Sequence, residues 1–518
     1  MSTSAEDLNN KLGAGAVGTV LDHPAGLFIL FFTEMWERFS FYGMRALLVL
    51  FLVSEMTAGG WGWSREDALK LYGIYTGLVY GTPIIGGWLA DKFLGARFSV
   101  ILGAFIMTLG HASMAMETSF FFYTGLALMV VGNGFFKPNI STIVGGLYDK
   151  DSDKKDSAYT IFYMGVNSGA FLGIMLCGYI GEKIGWNWGF GLAGIFMFVG
   201  MTQFYLAQKI FGNIGVKPKD VIVSESDKDE GDSPAVVRDK ILVISVLAFF
   251  TIFFWFAFEQ AGGSMTIFAK DYTQRLLTGT TATIFIVSNL ILTIGPLIII
   301  TWVLILLFKQ TFKKYALSNM VLGSGFALIW ALTLWMIIRD FTGGNEVEVP
   351  ASWFGILNSF FIIAFAPLFS KMWATKLNPS GPVKFAIGLV LVGIGFAFLA
   401  YGSSSIQSGA QTAAVSMWWL IIAYWFHTMG ELCISPVGLS YVSKLAPAKL
   451  VSMMFGIWFL ANLVANTLAG FSGSYIDQIS EEYGLSTFFL LFTAVTVGAG
   501  IVMFLLNPFL KKRMHGVH

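Results

Sequence analysis

The sequence predicts an all-α protein that crosses a membrane about fourteen times. Three observations carry this reading. Hydrophobic residues make up 56% of the 518 and charged residues only 12%, about half the charged share of an ordinary soluble domain. The mean hydropathy is +0.70, over a chain far too long to be one buried core. The apolar residues come in runs of about 20, the length a helix needs to cross the hydrocarbon with its backbone satisfied internally. Composition excludes disorder, collagen and coiled coil and argues against an ordinary soluble enzyme. The net charge of +1 leaves no basic excess for nucleic-acid binding by counterion release. Cys177 and Cys433 lie in apolar runs, so no disulfide framework or thiolate metal site is readable, and no cofactor is implied.

The runs fall near 24–53, 68–90, 97–116, 120–147, 157–181, 187–208, 240–269, 281–308, 315–338, 352–374, 382–402, 414–443, 451–473 and 485–508. Lys and Arg stay preferentially in the cytoplasm. With the N-terminus inside, roughly 23 of the 32 Lys and Arg lie in cytoplasmic links and tails. Arg65, Lys70, Lys183, Lys270, Arg275 and Arg339 lie on the opposite side, and Arg38, Arg45 and Lys137 inside spans. Both termini are therefore expected in the cytoplasm. The opening MSTSAEDLNN lacks a basic n-region, so no cleaved signal peptide is read.

The longest polar stretch, 212–240, contains the run Ser224-Glu225-Ser226-Asp227-Lys228-Asp229-Glu230 and reads as a hydrophilic tether. It separates six spans from eight. Two six-span halves would be a layout common in secondary transporters, and the second half holds two spans more than that.

Ionisable groups at bilayer depth are costly and are functional candidates by default. Seven stand out: Glu34, Glu37, Arg38, Arg45, Lys137, Glu259 and Glu431. Glu34 and Arg38 are one helical turn apart, and Arg45 returns to within about 20° of the same face. This makes a polar stripe about 16 Å long, which must line water or meet opposite charge. Lys137 stands in Gly132-Asn133-Gly134-Phe135-Phe136-Lys137-Pro138-Asn139. Glycines there allow close backbone approach, and the proline interrupts the helical ladder where neighbours can satisfy it. Glu259-Gln260 precede a glycine pair, and Glu431 precedes Ser435-Pro436. Fixed ion pairs that order the bundle are the plain alternative. Carboxylates that alternate between a proton and a cationic partner are the least equipment proton-coupled transport needs. No GxxxxGK[ST] run points to ATP. His427, one turn before Glu431, reads more simply as a core histidine than as a proton relay.

These residues resemble a known family, the proton-coupled oligopeptide transporters of the major facilitator superfamily. Glu34-Met35-Trp36-Glu37-Arg38-Phe39-Ser40-Phe41-Tyr42-Gly43 is similar to its ExxERFxYYG motif, with Phe41 in place of a tyrosine. Lys137-Pro138-Asn139 resembles its helix-four signature, and Phe162-Tyr163 through Asn167 to Gly169 its helix-five signature. Phe254 to Gln260 resembles helix seven, and Gly430-Glu431 through Ser435-Pro436 to Ser440 helix ten. Gly87 to Gly95 looks like the superfamily's loop between helices two and three.

The resemblance implies a major facilitator fold of two six-helix bundles, 1–208 and 240–518, joined by a cytoplasmic linker, 209–239. Because Trp353–Pro367 resembles helix eight, the two additional spans form a hairpin inserted after helix seven, at about 281–338. The function implied is proton-coupled symport of di- and tripeptides by alternating access, with no enzyme activity. Arg45 and Lys137 would attract the peptide carboxylate, Asn167 and Asn358 bond its backbone, and Glu431 hold its amino terminus. Tyr42, Tyr80, Trp255 and Trp458 would shape side-chain pockets. Glu259, with Glu34, Glu37 and Arg38, would carry protonation, and Lys137 would pair with Glu431 when peptide is absent. A peptide is a zwitterion, so a site needs cations and an anion held apart among tolerant aromatic walls. Residues 68–90 hold no histidine, which excludes the histidine-based proton sensing of some members. The short link 403–413 leaves no room for the external domain of animal members, so a bacterial inner membrane and a functional monomer are expected. The alternative is a transporter of the same fold moving nitrate, a drug or another small anion.

Overall fold

The computed structural model describes residues 17–149, 152, 154–217, 233–344, 346–446 and 450–516. The opening MSTSAEDLNN and the charged run 224–230 lie outside the described residues. Among the described residues fourteen long helices follow one another. They are α1 (Ala25–Val53), α2 (Arg65–Leu89), α3 (Ala96–Met114), α4 (Ser119–Gly146), α5 (Lys154–Lys183), α6 (Trp186–Ala207) and α7 (Pro234–Phe258). Then come α8 (Gly279–Thr311), α9 (Ala316–Thr342), α10 (Ile356–Trp373), α11 (Gly381–Gly402), α12 (Trp418–Leu445), α13 (Val451–Gly473) and α14 (Leu485–Arg513). Each coincides with one of the apolar runs. Twelve spans are long and apolar enough to cross a membrane on length and composition alone. The other two helices are α1, which holds Glu34, Glu37, Arg38 and Arg45, and α2, whose run is diluted by glycine, threonine and tyrosine. Several short helical segments, among them Ile476–Tyr483, and two small antiparallel ribbons lie outside the long helices: β1 (Thr19–Val20) with β2 (His23–Pro24), and β3 (Leu276–Thr278) with β4 (Glu346–Glu348).

The described residues of Met1–Leu47, Thr82–Ile222 and Arg275–Trp353 form one compact unit, and those of Leu48–Gly81, Val223–Gln274 and Phe354–His518 a second. The chain thus changes unit inside α1 and α2, between α6 and α7, and on either side of the hairpin α8–α9.

In the first unit the inserted hairpin packs on the N-terminal helices. Trp36 of α1 stacks on Phe196 of α6 at 5.0 Å and meets Phe326 of α9 edge-on at 5.4 Å. The Ser318 hydroxyl donates to the Gln203 carbonyl at 2.9 Å. The ribbon that brackets the hairpin is tied to the end of α5. The Glu182 carboxylate accepts from the Ala351 and Ser352 amides at 2.8 and 2.9 Å and from the Ser352 hydroxyl at 2.6 Å. Glu348 meets both Lys183 and Arg275, the latter at 3.1 Å.

In the second unit α2 and α13 approach to backbone contact at Gly73 and Gly470, where a Cβ on Gly470 would stand 2.4 Å from the Gly73 Cα. A further constraint follows from the end of α7. The helix gives way at Glu259–Gly262 to a tighter turn, then to the short helix Ser264–Ile267 and a wider turn. Backbone polar groups released in a membrane need partners. Here the Tyr424 hydroxyl and the Thr266 hydroxyl both donate to the Ala261 carbonyl, at 3.2 and 2.9 Å. Gln260 bridges to the Ala469 carbonyl at 2.8 Å and accepts from Ser264 at 2.6 Å. The break is thereby fixed, with the buried Glu259 at its start.

Two outcomes are expected. Gly470→Val should abolish monodisperse protein in size-exclusion chromatography, because the obstacle is backbone, whereas Gly456→Ala, with nothing within 4 Å, should match the parent. For Glu348, burial alone would raise the carboxyl, but the Lys183 hydrogen bond and the Arg275 guanidinium hold it below its usual 4.5. A depressed carboxyl contributes stability above its unfolded value and loses it as pH falls through the folded value. The thermal midpoint of the wild type should therefore drop on acidification below pH 4.5, and Glu348→Gln should drop less.

Candidate functional site

The first unit holds seven of the sequence-selected residues. Arg38 is shared by two carboxylates, Glu34 Oε1 at 3.1 Å and Glu37. Exposures of 5%, 0% and 4% for Glu34, Glu37 and Arg38 put all three out of contact with bulk solvent. Lys137 lies within electrostatic reach of both carboxylates, so two acids face two cations. Mutual neutralisation is what makes such burial tolerable. Arg38 also sits over the Phe41 and Tyr42 rings, at 5.4 and 6.0 Å, and Arg45 over the Tyr42 ring at 5.9 Å. The helical stripe is therefore Glu34, Arg38, Tyr42 and Arg45, with the tyrosine ring within reach of both guanidinium groups.

Local sequence explains how Lys137 is held. Pro138 takes away the amide that would serve the Gly134 carbonyl. The backbone of α2 comes against that carbonyl at Gly86, where a Cβ would have no room. Asn139 then donates its side-chain amide to the Phe135 carbonyl at 2.7 Å, and Thr142 its hydroxyl to the Pro138 carbonyl at 3.0 Å. The helix stays continuous through the proline. Asn167, buried on α5, donates back to the Tyr163 carbonyl at 3.0 Å.

The second unit holds Tyr80, Trp255, Glu259, Asn358, Glu431 and Trp458. Asn358 of α10 donates to Glu431 Oε2 of α12 at 2.8 Å and to the Thr428 hydroxyl at 3.2 Å. Glu259 at the break of α7 is close enough to Glu431 for the two charges to interact. Trp255 packs edge-on against Phe254 and Phe258 at 5.1 and 5.2 Å. Trp458 is buried edge-on against Phe385 at 6.4 Å, and Gly438 leaves room for its ring. His427 is a core residue, 4.6 Å from the Phe396 ring centroid, in keeping with the plainer reading.

Sequence reasoning missed a cluster of the second unit. Arg65 at the start of α2 pairs with Asp271 at 2.8 Å and Asp477 at 2.7 Å. It donates further to the Gln411 carbonyl at 2.9 Å and the Tyr272 hydroxyl at 3.0 Å. One guanidinium thus joins four chain segments. Arg65 registered in the sequence only as an exception to the charge bias, and its partners lie hundreds of positions away.

The comparisons with known proteins agree with this picture. The profile of the POT family matches residues 97–228 and 330–489. The chain belongs to the POT family. This POT-family chain is 34% identical over 513 residues to the uncharacterized transporter YclF of Bacillus subtilis, covering 96% of each. It is 30% identical over 519 residues to a di-/tripeptide transporter of Lactococcus lactis subsp. cremoris, covering 96% of this chain and 98% of that one. A solved peptide transporter POT in complex with sulfate superposes with a TM-score of 0.76 at 27% identity, over 98% of this chain and 100% of that one. The all-α membrane fold of the major facilitator type, expected from the sequence, is the fold of this POT-family protein, which is a multi-pass membrane transporter and not an enzyme.

Removing one member of a buried ion pair leaves its partner's charge uncompensated, at a cost of about 3–5 kcal/mol. Arg65→Met should lower the thermal midpoint clearly, and Asp271→Asn less. The double variant should lose less than the sum of the two, which separates a direct pair from two independent effects.

Proposed function

We propose that this protein is a proton-coupled symporter that imports di- and tripeptides by alternating access. The observation that carries the reading is the buried Glu431 carboxylate held by the Asn358 amide. It supplies an anionic receptor for a peptide amino terminus in a family that includes a di-/tripeptide transporter. Arg45 and Lys137 attract the peptide carboxylate, and Asn167 with Asn358 bonds the backbone. Tyr42, Tyr80, Trp255 and Trp458 accommodate side chains of varied shape. An ammonium group entering beside Glu431 competes with the positive partners and protons that otherwise balance the acids. This competition links occupancy to the protonation of Glu259 and of the Glu34, Glu37 and Arg38 group. The bodies that alternate are the six-helix halves 1–208 and 240–518, joined by the 209–239 linker. The membrane is a bacterial inner membrane, with both termini cytoplasmic and the monomer as the working unit.

The test is uptake of labelled dialanine into proteoliposomes under an imposed inward proton gradient. Wild type should accumulate dialanine, and Lys137→Ala and Glu431→Ala should each reduce accumulation at least about tenfold, as loss of a charged contact to substrate does. Glu259→Gln should keep downhill exchange of dialanine and lose pH-driven accumulation. Uptake by the wild type that nitrate, but no peptide, suppresses would replace the peptide reading by the small-anion one.

A further inference from the structure

Thr428 lies buried on α12, one turn before Glu431, and has no part in the function proposed above. Its hydroxyl donates to the Tyr424 carbonyl at 2.7 Å. A hydroxyl has one proton to give. Toward Asn358 the Thr428 oxygen is therefore an acceptor only. The Asn358 nitrogen reaches that oxygen at 3.2 Å and Glu431 Oε2 at 2.8 Å. An amide nitrogen offers two protons and its oxygen none. Two acceptors on one side thus leave a single orientation for the Asn358 amide, with nitrogen toward α12 and Oδ1 away from it. Among the described residues Oδ1 accepts no hydrogen bond.

The consequence appears when Glu431 engages a cation. Its oxygens then turn part of their capacity to the new partner, and their hold on the amide weakens. Were Glu431 the only restraint, the amide could rotate by half a turn and present its NH2 group to the cation, donor against donor. Thr428 opposes that rotation, because its oxygen would then face Oδ1, acceptor against acceptor. We propose that Thr428 is a positioning residue that keeps Asn358 Oδ1 presented as a second acceptor for the substrate ammonium, beside the Glu431 carboxylate. The inference rests on the peptide reading and names the residue that makes its amino-terminal receptor selective for a positive, hydrogen-donating group.

The experiment uses the full chain in proteoliposomes, with labelled dialanine as substrate. Propionyl-alanine, which is dialanine without its amino group, serves as the competitor. Thr428→Val keeps the volume and removes the acceptor. It should raise the KM for dialanine roughly five- to tenfold, the worth of one hydrogen bond to a charged group. The maximal rate and the inhibition constant of propionyl-alanine should stay within about twofold. Thr428→Ser should restore the dialanine KM. If Val does not assemble in the membrane, Thr428→Cys, whose sulfur is a weak acceptor, takes its place with the same expectation. An equal change for dialanine and propionyl-alanine, no change in either, or a Ser variant as impaired as Val would each overturn the positioning role. Wild type that takes up no dialanine would bring down the peptide reading itself, an outcome visible before any variant is compared.

Discussion

One arginine shared by two buried carboxylates sets the terms for the first unit. Arg38 cannot lie in a membrane helix without anionic partners, and Glu34 and Glu37 cannot lie there without cations. The α1 sequence satisfies both demands locally, at one turn and at one residue. A surplus of acid remains, and Lys137 meets it from α4. The interruption at Pro138 follows from this need. It lets the α2 backbone come against α4 beside the lysine, while Asn139 adds a side-chain donor to the neighbouring Phe135 carbonyl. Trp36, which lies inside the same motif, turns to the other side of α1 and packs with Phe196 and Phe326. The motif is therefore two-faced, with charge on one side of the helix and a structural aromatic on the other.

The same rule governs the helix ends. Six cations near the helix ends each have company. Arg65 has Asp271 and Asp477, Lys70 has Glu66, Lys270 has Asp271, and Lys183 and Arg275 share Glu348. Arg339 lies over the Tyr179 and Trp335 rings, with Asp340 accepting from the Tyr179 hydroxyl.

Much of this was legible in the sequence, for definite reasons. The long helices appear as apolar runs because a bilayer demands a continuous stretch of fixed length. The charged stripe of α1 was readable because helical spacing alone puts Glu34, Arg38 and Arg45 on one face. What escaped depends on long-range packing. Arg65 and Asp477 stand far apart along the chain, and no local pattern joins them. Thr428 looks like any small residue in a membrane helix until its one proton is followed to the Tyr424 carbonyl. The packing of α8–α9 on the first unit was equally hidden. Both helices are apolar all round, as lipid-facing helices are, so neither announces which side seeks a neighbour.

The hairpin α8–α9 has its two ends held together. It begins and ends at the β3–β4 ribbon, whose strands pair in register from Leu276 with Glu348 to Thr278 with Glu346. Paired strands hold their ends a few ångströms apart whatever is spliced between them. The entropic cost of closing a longer loop rises only with the logarithm of its length, and a hairpin of two membrane helices returns to the side from which it left. Arg275, Lys183 and Glu182 then fasten the ribbon and the turn that follows it, through Glu348, Ala351 and Ser352. Because those ties are made to α5, both ends of the hairpin are anchored within the first unit.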